Sequence, residues 1–275
     1  MGVLTAFDLQ AHRGGAGLRP ENSLAAFGHA LELGVSTLEL DVQISLDGRP
    51  VISHERVLPD GEFIAWRPAE ELGLPLLDEV FGLLSRRGAD EARVNVETKF
   101  DVVHPDEVAP RERFVDVVVQ SVRRAGLVDR TSIQSFDWAV LDLVRDAEAG
   151  LALNVLTNTP YLEIGQPGSS PWTAGVDVDD FAGDVAAAAS GRGYTALSPS
   201  HTIVTPAIVR EAHDAGLLVI PYTVDDAGLM AELVDLGVDG LITNRPDLGR
   251  EVLAARGLVL PRRYPPAPGE ISPDS

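Results

Sequence analysis

The segment LQAHRGGAGLRPENSLAAFGHALELGVSTLELDVQISLDGRPVISHE, at residues 9–55, is the most informative part of the chain. A short apolar run ends in His12 and Arg13 and opens a glycine-rich loop, and a later apolar run ends at His54. Histidine exchanges a proton near neutral pH, and the arginine guanidinium matches the geometry of a phosphate. Acid/base groups and a cation placed together at strand ends indicate phosphoryl-transfer chemistry.

The run LELDVQI inside this segment adds a pair of carboxylates. Glu39 and Asp41 are two residues apart, so in a strand their side chains share one face. A parallel strand covered by helices has no solvent-facing side, and two inward carboxylates repel each other unless a cation lies beside them. Because oxygen ligands suit Mg2+, Ca2+ or Mn2+, the pair predicts a divalent metal site.

Outward from this segment, strand-like and helix-like patterns alternate along the whole chain. Eight strands are predicted at 9–13, 37–44, 93–99, 131–136, 151–157, 194–197, 217–223 and 240–244. Helices are predicted near 23–33, 77–87, 110–125, 137–148, 180–189, 205–215, 226–236 and 246–256. Such alternation predicts a parallel sheet, and eight units in about 250 residues predict a closed (β/α)8, or TIM, barrel. The alternative is an open doubly wound sheet, but no GxGxxG motif opens the first helix.

We expect one barrel domain over residues 1–258 and a proline-rich, flexible tail over 259–275. The segment 158–179 follows the fifth strand and is rich in Gly, Pro and Ser. Long loops of this kind are uncommon in compact domains and are often functional.

The composition excludes several classes of function. The net charge of −20, from 42 acidic and 22 basic residues, repels nucleic acid and disfavours stable association with anionic membranes. The chain has no cysteine, so disulfides, thiolate nucleophiles and zinc–thiolate sites are excluded. No apolar run approaches the roughly 20 residues of a membrane span. We see no signal-peptide pattern and expect a cytoplasmic protein, while the oligomeric state stays open.

Further candidate site residues lie in later strands. Glu97 and Lys99 share a face in RVNVETK, where Glu97 completes a three-carboxylate set and Lys99 either binds phosphate or neutralises Glu97. Gln134 and Phe136 share a face in TSIQSF, either beside the metal and pocket or as ordinary barrel filling. Tyr222 ends an apolar run and is a candidate wall for a small ligand.

Together these motifs resemble the glycerophosphodiester phosphodiesterases over most of residues 8–250. The matching stretches are AHRGGAGLRPENSLAAF, LELDVQISLDGRPVISHE, PLLDEVF, VNVETK, SIQSF, VIPYTVDD and GVDGLITNRPD. The resemblance implies a TIM barrel that binds a divalent metal, commonly Mg2+ or Ca2+. It implies metal ligation by Glu39, Asp41 and Glu97, acid/base catalysis by His12 and His54, phosphate binding by Arg13 and Lys99, and support of the His12 loop by Glu21 and Asn22.

The chain departs from the family pattern at a few positions. Glu55 follows His54 where aspartate is usual, Tyr222 stands where tryptophan is usual, and Asp225 stands where asparagine is frequent. The segment after His54 is short, so the inserted subdomain of many members is expected to be reduced to a loop. These changes concern the substrate pocket more than the metal site.

The resemblance implies hydrolysis of a small-molecule glycerophosphodiester to sn-glycerol 3-phosphate and an alcohol, as part of lipid metabolism. A cyclic phosphate intermediate is expected, because two histidines suit proton removal from one oxygen and delivery to another. One alternative is a related phosphodiesterase of the lysophospholipase D or sphingomyelinase D type. A more distant one is a non-catalytic barrel that binds phosphorylated ligands.

Overall fold

A computed structural model describes residues 7–266 as a barrel of parallel strands surrounded by helices. Its strands are β1 Asp8–Ala11, β2 Thr37–Ile44, β3 Pro50–Ile52, β4 Arg93–Thr98, β5 Thr131–Ser135, β6 Ala152–Thr157, β7 Ala196–Pro199, β8 Leu218–Val219 and β9 Gly240–Thr243. The sheet order is β8-β7-β6-β5-β4-β2-β1-β9, and β3 pairs antiparallel with β2. The predicted (β/α)8 barrel is confirmed.

Barrel closure depends on hydrogen bonds around β8, which is much shorter than the predicted strand 217–223. Pro221 has no backbone N–H, so a regular ladder cannot continue through it. Between β8 and β9 the barrel is closed instead by isolated hydrogen bonds, from Asp239 N to Val219 O and from Ile242 N to Pro221 O, each 2.9 Å long. The chain then reaches Tyr222, which forms an isolated parallel bridge with Ser200.

Ten α-helices lie within residues 7–266. They are α1 Leu24–Leu33, α2 Ala69–Leu72, α3 Leu77–Arg86, α4 Arg111–Ala125, α5 Trp138–Ala147, α6 Thr159–Leu162, α7 Val185–Ala189, α8 Pro206–Asp214, α9 Ala227–Leu236 and α10 Pro246–Ala255. Ser23 caps α1 by accepting a hydrogen bond from the Ala26 N–H. The helix expected near 180–189 begins only at Val185, because the Asp184 side chain caps it there.

Two predicted irregular segments contain more structure than their composition indicates. The segment between β3 and α3 includes α2, and its Ile64 and Ala69 form a small apolar cluster with Val51 of β3, so it is more than a loop. The segment 158–179 includes α6 and is tied to α5 by a 2.9 Å hydrogen bond from Trp138 N to Trp172 O.

The chain after α10 runs back along the barrel. Tyr264 is only 3% exposed, its N–H donates to Leu31 O, and its hydroxyl accepts from Glu91 N. The described part of the predicted tail is therefore held against the domain up to this tyrosine, and residues 267–275 lie outside the described residues. The domain boundary at 258 stays a prediction. Among residues 7–266, no helix combines the length and the apolar character needed to cross a bilayer.

The barrel interior carries a polar network, whereas the space between strands and helices is apolar. Phe27, Phe114 and Trp138 are fully buried in the outer layer. Inside the barrel, Asn95 Nδ2 donates to Gln10 Oε1 at 2.8 Å and to Gln134 Oε1 at 2.7 Å. TIM barrels more often fill this space with branched apolar residues, so the polar filling needs an explanation.

We expect Asn95→Ala to lower the free energy of unfolding by about 2–4 kcal/mol, because it leaves two buried amide oxygens without a donor. Ser132→Ala is the matched control, since it removes only the hydroxyl that donates to Asn95 Oδ1 and should cost about 1 kcal/mol or less. Urea unfolding at unchanged m-value measures both changes. Equal costs for the two variants would contradict a stabilising role for the network.

Candidate active site

The predicted site residues meet at the C-terminal ends of the barrel strands, the face on which TIM-barrel active sites lie. The central cavity there is lined by His12, Arg13, Glu39, His54, Glu97, Lys99, Gln134, Phe136 and Tyr222, among others. Asp41 lies beneath the cavity wall and is fully buried. The structure thus gathers side chains that six different strands, β1, β2, β3, β4, β5 and β8, and their following loops contribute.

Three carboxylates lie close together at this site, two in the cavity lining and one buried behind it. Ligand oxygens of Glu39, Asp41 and Glu97 all lie within 4.8 Å of one another. Glu39 and Asp41 share a face of β2, and the parallel pairing of β2 with β4 sets Asp41 directly beside Glu97. The i, i+2 spacing thus brings Glu39 and Asp41 together, and the register between β2 and β4 adds Glu97 to them.

Each carboxylate is held by a different neighbour. Glu39 accepts hydrogen bonds from the Arg13 backbone N–H at 2.8 Å and from Gln134 Nε2 at 2.7 Å. Asp41 Oδ2 accepts from Asn22 Nδ2 at 2.8 Å. Asp41 Oδ1 is buried and finds no hydrogen-bond partner among the residues that the structure describes.

Burial and mutual repulsion disturb the protonation of these acids. Burial, with the charges of Asp41 and Glu97, raises the pKa of Glu39 well above its usual range. Burial also raises the pKa of Glu97, although Lys99 opposes it. Burial acts on Asp41 in the same direction, but Lys99 and Arg13 outweigh it and its pKa is lowered. Three buried carboxylates with one unpartnered oxygen fit a hard divalent cation, which takes oxygen ligands.

Backbone and side-chain contacts hold the loop that follows His12 in its conformation. Arg13 and Asn22 both adopt left-handed backbone conformations, with φ of 51° and 55°, and the Asn22 N–H donates to Arg13 O. The Arg13 guanidinium contacts Asp41 through Nε at 3.1 Å and Glu21 through Nη1 at 3.0 Å. A left-handed conformation is unfavourable for arginine, so these contacts hold the loop in a form that a free chain would rarely adopt.

Lys99 also lies against the carboxylates. Its ammonium donates to Glu97 Oε1 at 2.7 Å and is 3.7 Å from Asp41 Oδ1. Burial lowers the pKa of Lys99, but the two acidic neighbours outweigh it and the pKa is raised. In this structure the Lys99 ammonium neutralises Glu97. That Lys99 binds a phosphate stays a prediction.

His12 is oriented by Asn244, which the sequence analysis did not assign to the site, and through it by Asp225, which the sequence analysis named only as a departure from the family pattern. His12 Nδ1 lies 2.7 Å from Asn244 Oδ1, and Asn244 Nδ2 donates to Asp225 Oδ2 at 2.8 Å. Since the Asp225 carboxylate can only accept, the amide of Asn244 is fixed, Nδ1 of His12 is the donor, and Nε2 is left to accept a proton. Burial, followed by the charge of Arg13, lowers the pKa of His12, although Asn244 and Asp225 oppose the shift.

His54 has a similar but more exposed arrangement. Its Nδ1 lies 2.6 Å from Glu55 Oε1, so the carboxylate fixes this ring as well. The hydrogen bond from His54 lowers the pKa of Glu55 and keeps it ionised. Glu55 stands where the family usually has aspartate, and the longer side chain still reaches the ring.

Gln134 was predicted either to lie beside the metal site or to fill the barrel. It does both, because it donates to Glu39 and accepts from Asn95 inside the barrel. Phe136 and Tyr222 line the cavity and contact each other edge to face, with ring centroids 6.0 Å apart. The Tyr222 hydroxyl donates to Thr157 O at 3.1 Å. Tyr161 also lines the cavity, and nothing in the sequence analysis singled it out.

Known proteins resemble this chain in sequence and in fold. A protein of Mycobacterium tuberculosis described as probable glycerophosphodiester phosphodiesterase 2 is 30% identical over 266 residues, which is 90% of this chain and 90% of that protein. A crystal structure from Silicibacter pomeroyi, named as a candidate glycerophosphoryl diester phosphodiesterase, is 28% identical with a TM-score of 0.79 and covers 92% of this chain and 95% of its own.

A phosphodiesterase of Oleispira antarctica, solved in complex with its product sn-glycerol-3-phosphate, has the same fold. It is 21% identical, with a TM-score of 0.72 over 90% of this chain and 96% of its own. The sequence profile of the glycerophosphoryl diester phosphodiesterase family matches residues 12–248. Because this match spans most of the chain, the protein belongs to the glycerophosphoryl diester phosphodiesterase family.

Proposed function

We propose that this protein is a metal-dependent phosphodiesterase that cleaves glycerophosphodiesters into sn-glycerol 3-phosphate and an alcohol. The observation that carries the proposal is one cavity in which two oriented histidines face a buried cluster of carboxylates and cations. Family membership gives the reaction class, and the product bound to the Oleispira protein is of the kind that such cleavage yields. A cytoplasmic location stays a prediction.

Glu39, Asp41 and Glu97 would hold the metal, and Mg2+, Ca2+ and Mn2+ are the candidates for an all-oxygen ligand set. A divalent cation bound there supplies Lewis-acid polarisation of a phosphoryl oxygen. Arg13 and Lys99 place two further positive charges beside the same cavity, where they would stabilise negative charge that develops on the phosphoryl group.

The two histidines would act as base and acid. With Nδ1 bound to Asn244, His12 Nε2 takes the proton of the glycerol hydroxyl next to the phosphoester. The hydroxyl oxygen then bonds to phosphorus while the bond to the alcohol oxygen breaks, and His54 Nε2 gives a proton to the departing alcohol. Water opens the resulting cyclic glycerol phosphate with the two roles reversed. The lowered pKa of His12 suits the base, because it keeps the ring neutral at neutral pH.

Metal dependence is tested by chelation. We expect that metal-free protein does not hydrolyse glycerophosphocholine, glycerophosphoethanolamine or glycerophosphoglycerol, and that Mg2+, Mn2+ or Ca2+ restores the release of sn-glycerol 3-phosphate. Glu97→Gln should reduce turnover on the order of 100-fold or more, since it removes a proposed ligand. The control Glu71→Gln alters an exposed carboxylate of α2 and should change turnover little. Full activity of the metal-free protein would refute the metal assignment.

The intramolecular route predicts a strict requirement for the neighbouring hydroxyl. An analogue that lacks the glycerol 2-hydroxyl should bind but scarcely turn over, because attack by that hydroxyl gains the proximity advantage of an intramolecular reaction. Phosphorus NMR of the normal substrate should show a transient cyclic phosphate. Undiminished hydrolysis of the deoxy analogue would favour direct attack by water and would remove the role proposed for His12.

The pH profile tests the orientation of His12. Its hydrogen bond to Asn244 raises its pKa against the lowering by burial, so Asn244→Ala should lower that pKa further. If neutral His12 is the base, the acid limb of kcat/KM should move to lower pH and the plateau should fall. Asn158→Ala, at a cavity position without a contact to His12, is the control and should leave the acid limb in place. An acid limb that stays unmoved in Asn244→Ala would assign it to another group.

A further inference from the structure

A second cleft, here called the side cleft, opens beside the central cavity. The two share the side chains of His54, Glu97, Lys99, Phe136 and Tyr161 as a common boundary. A phosphodiester carries two arms on one phosphorus atom. Two clefts that meet at the same acid/base and cationic groups therefore provide a separate place for each arm.

The side cleft has an aromatic wall. Phe136, Tyr161 and Trp172 line it, and all three are partly exposed toward it. The Phe136 and Tyr161 rings meet edge to face at 4.8 Å between centroids, while Tyr161 and Trp172 stack at 4.7 Å. Their π faces carry negative electrostatic potential and attract a cation placed within about 6 Å of a ring centroid.

This wall is held in position before any ligand binds. Trp172 O accepts a 2.9 Å hydrogen bond from Trp138 N of α5, and Ser170 Oγ donates to Tyr161 O at 2.6 Å. Ser170 is 2% exposed, and its hydrogen bond to Tyr161, which joins two parts of the loop, is partly buried. A preformed wall gives up little conformational entropy on binding.

Acidic residues also line the cleft. Glu55 and Asp101 line it, and Glu107 lies next to them. Their cationic neighbour Arg56 is bound by two carboxylates, at 2.5 Å to Glu107 and 3.3 Å to Asp101. Among the charged residues that line the whole cleft, the carboxylates of Glu55, Glu97 and Asp101 outnumber the cations Arg56 and Lys99, so the balance of charge favours a positively charged arm.

We propose that the side cleft binds the alcohol arm of the diester and selects an alcohol that carries a quaternary ammonium group. This inference rests on the proposed function and adds the substrate class to it. The aromatic wall surrounds the cation's methyl groups, and Glu55 and Asp101 supply the countercharge. His54 stands at the boundary of this cleft, where it reaches the oxygen of the departing alcohol.

The first test compares two substrates of the wild-type protein. Glycerophosphocholine is compared with the ester of glycerol phosphate and 3,3-dimethylbutanol, in which carbon replaces the charged nitrogen at nearly the same shape. We expect kcat/KM to be about 10-fold higher for the choline ester, chiefly through a lower KM, because head-group binding acts equally in the ground and transition states. Equal values for the two esters, or faster cleavage of glycerophosphoglycerol than of the choline ester, would overturn the proposal.

Variants test whether the aromatic wall causes the preference for the choline ester. Trp172→Leu should cut the preference for the choline ester over its neutral isostere to about 2-fold or less, while Trp172→Phe should keep most of it. Trp66→Leu removes a tryptophan that is 57% exposed and lies outside the side cleft, and should leave the preference unchanged. A preference unaltered in Trp172→Leu would overturn the assignment of the wall.

Failure of the inference can be told apart from failure of the function. If the metal-loaded protein cleaves none of the glycerophosphodiesters, the proposed function is wrong and the head-group comparison does not arise. If it cleaves the choline ester and its isostere at equal rates, the function stands and only the side-cleft proposal fails. Should Trp172→Leu not fold, the comparison of the two esters with the wild-type protein still decides whether the preference exists.

Discussion

Repulsion among three buried carboxylates is the constraint on which the site and much of the barrel interior depend. Glu39, Asp41 and Glu97 lie within 4.8 Å of one another with almost no access to water. Low dielectric surroundings strengthen their repulsion and penalise their charges, which is why the pKa of Glu39 is raised so far. Such a cluster persists in a folded chain only if neighbouring donors and cations hold it.

That requirement explains the polar filling of the barrel. Gln134 donates to Glu39, and its own amide oxygen is then satisfied by Asn95, which also serves Gln10. A buried amide must find partners for both of its ends, so one hydrogen bond to the carboxylate cluster requires further hydrogen bonds in the neighbouring layers of the barrel. The loop after His12 supplies another donor, since Asn22, whose backbone is in a left-handed conformation, donates to Asp41.

The sequence predicts those parts of the structure that short spacings determine. The shared face of Glu39 and Asp41 follows from strand geometry, and the barrel follows from alternating periodicities. The sequence analysis missed Asn244, although it directly follows β9 just as His12 directly follows β1. Its contact with His12 joins residues 232 positions apart, and no local pattern records such a contact. Strand β8 was overestimated because an apolar run does not reveal where Pro221 interrupts the ladder.

The side cleft could not be predicted for a related reason. Tyr161 and Trp172 lie in a segment whose Gly, Pro and Ser content predicts only a loop, and their stacking depends on hydrogen bonds to α5 and within the loop. The composition also posed a contradiction, a net charge of −20 on a protein expected to bind an anion. The centre of the site does not resolve it, because its three carboxylates outnumber the two cations Arg13 and Lys99. A divalent cation held by the three carboxylates, as proposed, would reverse that local balance and make the centre attractive to a phosphodiester, while the proposed side-cleft site would attract a positively charged arm.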